Sequence, residues 1–269
     1  SIEIFFSTTL FGLVLLILLA YKLRFGLYAG LRWGIVIGTL AGLLVPLEMG
    51  ALGLSCRLWS LGLGFVTIIG CSIVVILLRF YRDPDRIPPH GENHIVSPAD
   101  GKVMYVKEVQ QGKVPLSVKG GKQFELVELT RFNLIEKPAY LIGIEMSILD
   151  VHVNRAPIQG KIVMQNRING GFISLKKPEA VLRNSRLTTV IENGSVRIAV
   201  IQIASRLVRL IASYVKPGDE LSLGQRLGMI KFGSQVDIVI PKLEGLQILA
   251  EAGRKVKAGV SIIAHYGED

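Results

Sequence analysis

Cysteine and histidine are both scarce in this chain, and their scarcity excludes several kinds of site. Only two cysteines occur, Cys56 and Cys71, and both lie in an apolar N-terminal region. They provide neither a disulfide framework nor a thiolate metal site, so the sequence gives no sign of an oxidising compartment. Of the four histidines, His90 and His94 fall in a proline-rich connector, and His265 lies near the C-terminus. We therefore expect no metal ion.

Charge is almost absent from residues 1–80, which hold most of the apolar excess behind a mean hydropathy of +0.46. Apolar stretches at 4–20, 33–54 and 61–78 each approach the roughly 20 residues that a helix needs to cross a bilayer. We predict three transmembrane helices in this region. Because the second stretch contains Pro46 and a glutamate, a half-inserted hairpin with two full spans remains the alternative.

Basic residues beside these stretches predict the orientation of the chain. One cluster follows the first stretch and another follows the third, and three spans would place both clusters on the cytoplasmic side. We predict a multi-pass protein of the cell membrane, with residues 81–269 forming a cytoplasmic catalytic domain. The clusters consist of Lys22, Arg24 and Arg32, and of Arg79, Arg82 and Arg86.

The formal net charge of +10 narrows the choice of partner. Most of this charge lies beyond residue 80, beside the predicted membrane region, which suggests anionic lipid headgroups of the bilayer as the partner. The sequence has no dense run of lysine and arginine and no pattern of base-stacking aromatic residues. Nucleic acid is therefore not expected as a partner.

The texture of the sequence changes beyond residue 81. Short runs of Val, Ile and Leu alternate with polar residues between glycines and prolines, which predicts strands and tight turns, and no long amphipathic helix is evident. Residues 98–103 resemble 157–162, and 215–224 resemble 253–259. Such Gly-Asp turns are common in barrel-sandwich folds such as lipoyl and biotinyl domains. We predict a mainly β, mostly antiparallel domain behind the N-terminal helices.

Two stretches of this region lack a clear pattern. Residues 165–190 are expected to form loops near the site. Residues 203–211 fit a short helix, although 208–211 also fit a strand.

Three motifs carry the chemistry. Gly233-Ser234 is a pair of the kind that cuts itself when it lies at the tip of a turn, and upstream lie Asp100, in a Ser-Pro-Ala-Asp-Gly motif, and His152, in a His-Val-Asn-Arg-Ala-Pro motif. A hydroxyl, an imidazole and a carboxylate are the groups that together activate a serine.

The sequence resembles the phosphatidylserine decarboxylases, specifically the short form found in bacteria and archaea. The matching motifs occur in family order over about 80–240. They are Phe80-Tyr81-Arg82-Asp83-Pro84, Ser97-Pro98-Ala99-Asp100-Gly101, His152-Val153-Asn154-Arg155-Ala156-Pro157, Asn184-Ser185-Arg186 and Phe232-Gly233-Ser234.

The resemblance implies a proenzyme that cleaves itself between residues 233 and 234. Ser234 would attack the carbonyl of Gly233, and the chain would become a large chain, 1–233, and a small chain, 234–269, that stay partners. The resemblance also implies that Ser234 becomes a pyruvoyl group, the covalent cofactor. That group serves as the electron sink that turns phosphatidylserine into phosphatidylethanolamine and CO2.

Roles in the predicted site follow the same resemblance. Asp100 is expected to orient the base, His152 is the main acid or base, and Asp150 is a second orienting carboxylate. Longer members of the family have a second histidine where this chain has Arg155, so His152 would serve both cleavage and turnover, or another group would substitute.

Substrate contacts are expected from a second set of residues. Arg155 and Arg186 would hold the serine carboxylate or the lipid phosphate, since a guanidinium pairs bidentately with either, and Asn184 belongs to the same motif. Gln235 stands where many members have threonine, so no hydroxyl acts there.

Other functions remain as alternatives. An archaetidylserine decarboxylase would share the headgroup chemistry, and a homodimer is a reasonable expectation for a membrane enzyme of this size. A non-enzymatic, membrane-anchored lipoyl-like adaptor would explain the turns but not the three motifs together. A carrier modified on Lys231 is not favoured, because Ile230-Lys231-Phe232 lacks the usual flanks of a carrier lysine.

Overall fold

The computed structural model describes residues 2–23, 27–51, 57–91, 93–109, 113–115, 123–125, 138–171, 184–204, 210–231 and 234–267. The chain divides into two compact units. The helical unit comprises Ser1–Tyr81 with Ser147–Leu149, and the β unit comprises Arg82–Met146 with Asp150–Asp269.

The helical unit contains three long apolar helices, and glycines bring the first two together. At Gly34 and Gly38 of α2, an added Cβ would lie 2.8 Å from a backbone Cα atom of α1, and Gly12 of α1 meets Gly38 in the same way at 2.7 Å. Small residues four apart allow such close packing of apolar helices. The helices are α1 (Ile2–Leu23), α2 (Leu27–Ala51) and α3 (Arg57–Phe80).

One helix in the described part of the chain is long and apolar enough to cross a membrane. It is the Gly62–Phe80 portion of α3, whereas α1 and α2 contain the shorter apolar stretches Phe5–Leu19 and Gly30–Val45. Helix α2 continues through residue 46 rather than ending before the proline. The described N-terminal residues therefore form an apolar helical region with one helix of membrane-spanning length.

The β unit is built on an antiparallel eight-stranded sheet with the strand order β11-β7-β8-β9-β13-β5-β2-β15. Two three-stranded sheets, β1-β16-β14 and β10-β12-β6, and the β3-β4 pair complete the described strands. The strands are β1 (His94–Val96), β2 (Gly101–Val109), β3 (Lys113–Pro115), β4 (Gln123–Glu125), β5 (Ala139–Met146), β6 (Val153–Arg155), β7 (Gly160–Ile168), β8 (Arg186–Asn193), β9 (Val196–Ala204), β10 (Ile211–Ser213), β11 (Glu220–Leu221), β12 (Arg226–Ile230), β13 (Ser234–Pro241), β14 (Gln247–Ile248), β15 (Lys255–Val256) and β16 (Ile262–His265).

The central strands of this sheet are buried on both faces, which explains their nearly continuous apolar sequences. On β13, Val236 and Ile238 pack into the larger core, whereas Val239 packs into a second core on the opposite face. The prediction of a mainly β region behind N-terminal helices is confirmed.

The recurring phrases of the sequence correspond to a structural duplication. Gly101 opens β2 with a φ of +152°, Gly160 opens β7 with a φ of +143°, and an added Cβ at either would lie 2.2 Å from a carbonyl oxygen of a neighbouring strand. Each long strand is flanked by a two-residue strand, β15 against β2 and β11 against β7. Only glycine fits both the backbone conformation and the close approach.

Two expectations about local structure need correction, one of a loop and one of a short helix. Strands β7 and β8 extend into residues 165–168 and 186–190, where the sequence predicted loops, while 172–183 lie outside the described residues. Of the stretch 203–211, the start belongs to β9 and Ile211 opens β10, so the strand alternative holds at the end, and 205–209 lie outside the described residues. Strand β7 was not predicted because it is only partly buried and its polar side chains weaken the alternation of apolar and polar residues.

Candidate active site

Ser234 is the first residue of β13, in the middle of the large sheet. Its backbone pairs with Met146 at the end of β5 on one side and with Ala204 at the end of β9 on the other. The predicted partner in cleavage, Gly233, lies outside the described residues together with Phe232. The position predicted for cleavage therefore adjoins the ends of three central strands.

His152 lies just before β6, which pairs with β12, the strand that precedes Ser234 in the chain. Its carbonyl accepts a hydrogen bond from the Ile230 amide at 3.3 Å, just before β6 pairs with β12. The side chain is fully buried, and its Nδ1 lies 2.8 Å from the main-chain oxygen of Asp150. A carbonyl can only accept, so Nδ1 carries the proton and Nε2 holds the lone pair.

The surroundings of His152 keep the imidazole neutral. Burial lowers the pKa of His152 to about 4, and the positive charge of Arg82 acts in the same direction. The hydrogen bond to the Asp150 carbonyl and the negative charges of Asp150 and Asp100 oppose this shift. The outcome at neutral pH is an uncharged ring whose Nε2 carries a lone pair, which is the protonation state that a general base needs.

Asp150 and Asp100 were both predicted to orient this ring through their carboxylates. Instead, Nδ1 of His152 donates a hydrogen bond to the main-chain oxygen of Asp150, and the Asp150 carboxylate acts on the ring through its charge. Asp100 also acts on His152 through charge, while its carboxylate accepts both guanidinium NH2 groups of Arg86 and the amide of Ala258.

Comparing the start of β2 with its duplicate at the start of β7 distinguishes Asp100 from an ordinary turn residue. Gln159 occupies the equivalent position before Gly160, where the same backbone conformation occurs with an exposed glutamine. Asp100 is only 8% exposed and is ion-paired. Because the turn forms without a carboxylate in the second copy, the burial of Asp100 reflects something other than turn formation.

Arg155, expected to hold substrate, is engaged within the protein. Its guanidinium donates to the Asp83 carboxylate at 2.8 Å, to the Pro84 carbonyl at 3.0 Å and to the Gly224 carbonyl at 3.2 Å. Asp83 also pairs with Arg226. This arrangement ties residues 83–84 to the end of β6, so Arg155 could bind substrate directly only if the ion pair opened.

Asn184 precedes β8 and Arg186 opens it, and β9 lies between β8 and the strand of Ser234. The Asn184 side-chain amide donates to the carbonyl of Ala204 at 3.0 Å, and Ala204 is the strand partner of Ser234. Arg186 is 2% exposed, and its guanidinium lies 3.5 Å from the Asn184 carbonyl. The predicted motif is therefore brought to the same edge as Ser234, with a buried positive charge.

Sequence reasoning assigned no site role to three residues close to this centre: Gln202, Asn154 and Arg86. Gln202 donates to the buried Asn154 side chain at 2.7 Å, and Asn154 reaches the sulfur of Met146, a strand partner of Ser234. Nothing in the sequence separates Gln202 from surface residues, whereas Asn154 lies in the motif of residues 152–157. Arg86 was assigned to the membrane flank, although a charge so close to the motifs could have suggested a partner for Asp100.

Gln235 belongs to a separate polar cluster on the opposite face of β13. Its amide donates to Asp237 at 2.7 Å and to Tyr105 at 2.8 Å, and the Tyr105 hydroxyl donates to Asp237 at 2.8 Å. Burial raises the pKa of Asp237 to about 6, against these hydrogen bonds and the charge of Lys107. Burial and Asp237 also raise the pKa of Tyr105 well above its usual value.

Among the described residues, no group of three or more His, Cys, Asp or Glu side chains is arranged to hold a metal ion. The described side chains at the candidate site include the neutral imidazole of His152, buried amides, and Arg86 and Arg155, each paired with an aspartate.

Comparisons with known proteins agree with the motifs. The phosphatidylserine decarboxylase family model matches residues 75–264. A Methanocaldococcus jannaschii protein named "Putative archaetidylserine decarboxylase proenzyme" is 40% identical over 200 residues, covering 74% of this chain and 94% of that protein. A phosphatidylserine decarboxylase proenzyme of Carboxydothermus hydrogenoformans is 38% identical over 217 residues, covering 76% and 92%.

A third relative matches a larger share of this chain. The phosphatidylserine decarboxylase proenzyme of Trichlorobacter lovleyi is 34% identical over 228 residues, covering 84% of this chain and 91% of that protein. The family model spans more than half of the chain and includes Asp100, His152 and Ser234. This chain is a decarboxylase that belongs to the phosphatidylserine decarboxylase family.

Proposed function

We propose that this chain is a self-processing decarboxylase that converts a serine phospholipid into the ethanolamine lipid and CO2. One observation carries the proposal: a buried, neutral His152 hydrogen-bonds through its carbonyl to Ile230, four residues before Ser234. A neutral histidine is the usual base for activating a serine hydroxyl. The proenzyme names of the relatives favour the same chemistry.

Self-processing would begin with addition of the Ser234 Oγ to the carbonyl carbon of Gly233, while Nε2 of His152 takes the hydroxyl proton. The Gly233–Ser234 C–N bond then breaks, the nitrogen gains a proton, and an ester remains. Loss of the Cα proton of residue 234 expels the Gly233 carboxylate. Hydrolysis of the resulting dehydroalanine consumes water, releases ammonia and leaves a pyruvoyl group at the start of chain 234–269.

The surroundings of Ser234 fit a fixed pyruvoyl group, which would supply the electron sink for decarboxylation. Strands β5 and β9 bind β13 on both sides from its first residue, so a new N-terminus at residue 234 would stay in place. We propose that Asn184 and Arg186 bind the serine carboxylate or the phosphate of the substrate. His152 would supply and remove protons at the reacting carbon.

The proposal is tested by replacing Ser234 with alanine. Wild-type protein should give chains 1–233 and 234–269 by intact mass, with the small chain reacting with a hydrazide at its ketone. Ser234→Ala should remain one chain and release no CO2 from phosphatidylserine vesicles. Ser222→Ala, a matched change at an exposed serine, should behave as wild type. Normal turnover by Ser234→Ala would refute the pyruvoyl mechanism.

The lipid class is the second question, because one relative carries an archaetidylserine name. The headgroup is the same in both lipids, so the described site does not separate them. Vesicles of phosphatidylserine and of archaetidylserine, compared at equal headgroup density, would do so. We propose phosphatidylserine, and turnover restricted to the ether lipid would assign the archaeal activity instead.

We also infer that the apolar helices anchor the enzyme in the membrane with three spans and a cytoplasmic β unit. Large apolar side chains are exposed along α1, α2 and α3, among them Phe6, Leu43 and Leu78, and basic residues flank the first and third helices. Protease should digest the β unit in inside-out vesicles and leave it intact in sealed cells. Digestion of the β unit in sealed cells would show the opposite orientation. A homodimer remains a separate prediction.

A further inference from the structure

Arg86 forms an unusually complete set of hydrogen bonds for a residue outside every chemical motif. Its two NH2 groups donate to the two carboxylate oxygens of Asp100, the second at 2.8 Å. The first also donates to the carbonyl of Ala258 at 2.7 Å. The side chains of Arg86 and Asp100 are only 9% and 12% exposed, so this ion pair is largely shielded from water.

The peptide of Ala258 closes the arrangement into a ring. Its amide donates to Asp100 at 2.8 Å, while its carbonyl accepts from Arg86, so each of the three residues binds both of the others. Ala258 is fully buried. A planar guanidinium suits this geometry because it can bridge two acceptors at once, which a lysine ammonium does less well.

The ring joins segments that come from different parts of the chain. Arg86 follows the apolar helices, Asp100 precedes β2, and Ala258 lies within the proposed small chain 234–269. Main-chain bonds surround it: the Ser97 amide donates to Ser261, and Gly259 donates to Ser97, both at 2.8 Å. The charged ring therefore lies where the proposed large and small chains meet.

We propose that Arg86 is a positioning residue of this decarboxylase, which holds Asp100 beside His152 and fixes that carboxylate to the small chain through Ala258. The inference rests on the proposed self-cleavage. Asp100 acts on His152 through charge, so a displaced carboxylate changes the field at the base. The buried charge of Asp100 needs a partner of opposite sign to remain at this position.

The equivalent place in the duplicated strand supports a dedicated role for this ring. There the exposed Gln159 replaces Asp100, and the Gly224 amide donates to Ala156 just as the Gly259 amide donates to Ser97. The shared main-chain pattern thus forms without a buried carboxylate. Arg86 and Asp100 are additions to one copy of a scaffold that is complete in the other.

The test is the cleavage rate of freshly synthesised, full-length proenzyme in nanodiscs. Arg86→Gln should slow the appearance of the 234–269 chain about 10²-fold, the loss that a misplaced catalytic group can cause. Arg254→Gln is the matched control, because Arg254 lies on the small chain in a 68% exposed pair with Glu251. It should cleave at the wild-type rate.

A double-mutant cycle separates positioning from a general structural defect. If Arg86 acts through Asp100, Arg86→Gln should slow cleavage no further in an Asp100→Asn background. Equal slowing in both backgrounds, or cleavage of Arg86→Gln within about twofold of wild type, would overturn the inference. Failure of the wild-type chain to cleave would instead refute the proposed function.

Arg86→Lys keeps the test decisive if the glutamine variant does not fold. Lysine retains the charge but cannot bridge both carboxylate oxygens and the Ala258 carbonyl, so cleavage should be slowed by an intermediate amount, about tenfold. In a folded Arg86→Lys protein, a wild-type rate would show that charge alone suffices and that the ring has no positioning role.

Discussion

The depressed pKa of His152 makes a quantitative prediction about self-cleavage. With a pKa of about 4, about 90% of the rings are neutral at pH 5.0, compared with about 3% for a histidine at its ordinary value of 6.5. The acid limb of the cleavage rate should therefore lie near pH 4. At pH 5.0 the rate should remain at about 90% of its plateau, whereas a base with the ordinary pKa would retain only about 3% of its own plateau rate.

The assay needs proenzyme that has not yet been cleaved. Cell-free synthesis in nanodiscs with a short radiolabel pulse provides it, and samples are then moved to pH 4.0, 5.0, 6.0 and 7.5. The small chain is quantified over time. A rate that halves near pH 6.5 would refute the reasoning, since it would mean that the base is exposed to water during cleavage or that a different group takes the proton.

Stability must be followed in the same samples, because the same pKa shift destabilises the fold in acid. The folded state binds a proton at His152 less readily than the unfolded state, so stability present above pH 6.5 is lost as the pH falls toward 4. The shift corresponds to about 3 kcal/mol in total and about 2 kcal/mol at pH 5.0. A thermal midpoint at each pH shows whether the protein remains folded.

Two further predictions concern stability. The pKa of Asp237 is raised to about 6, so ionisation of its carboxyl costs the fold up to about 3 kcal/mol as the pH rises from 4 to 6. Asp237→Asn should therefore gain stability relative to wild type over that pH range. A difference in thermal midpoints that does not change with pH would contradict this. Gly101→Ala places a Cβ 2.2 Å from the Glu145 carbonyl oxygen and should prevent folding. Gly194→Ala is the control: its φ is +58° and an added Cβ has nothing within 4 Å, so it should cost only about 1 kcal/mol. Equal thermal midpoints for the two variants would refute the clash.

Much of the fold could be predicted because its causes are local. The apolar runs that become α1, α2 and α3 need no partner to be recognised, and the glycines at 101 and 160 mark strand starts where no other residue fits. Strand β7 was missed because its side chains are only partly buried, so the alternation of period two is weak. Burial of this kind depends on distant neighbours that a single sequence does not reveal.

For the candidate site, too, the sequence predicts the types of side chain but not the contacts that they make. The hydroxyl at 234, the imidazole at 152 and the carboxylate at 100 were predicted from motifs because the proposed chemistry specifies these residue types, and their roles stay predictions. Their partners could not be predicted: the atom that orients His152 is a main-chain oxygen, and Arg86 meets Asp100 and Ala258 only in the folded chain. Arg155, expected at the substrate, is instead paired with Asp83.

The position of β13 explains how a self-cleaving chain can keep its fold. Strand β13 begins with Ser234 and is hydrogen-bonded to β5 and β9, which both belong to the proposed large chain. Cutting before residue 234 would remove one covalent bond and none of these backbone pairings. The duplicated scaffold adds a second attachment, because β15 of the small chain pairs with β2 while its counterpart β11 stays within the large chain. The proposed scissile bond adjoins the first residue of a central strand, so cleavage there would be local and would leave β13 paired with β5 and β9.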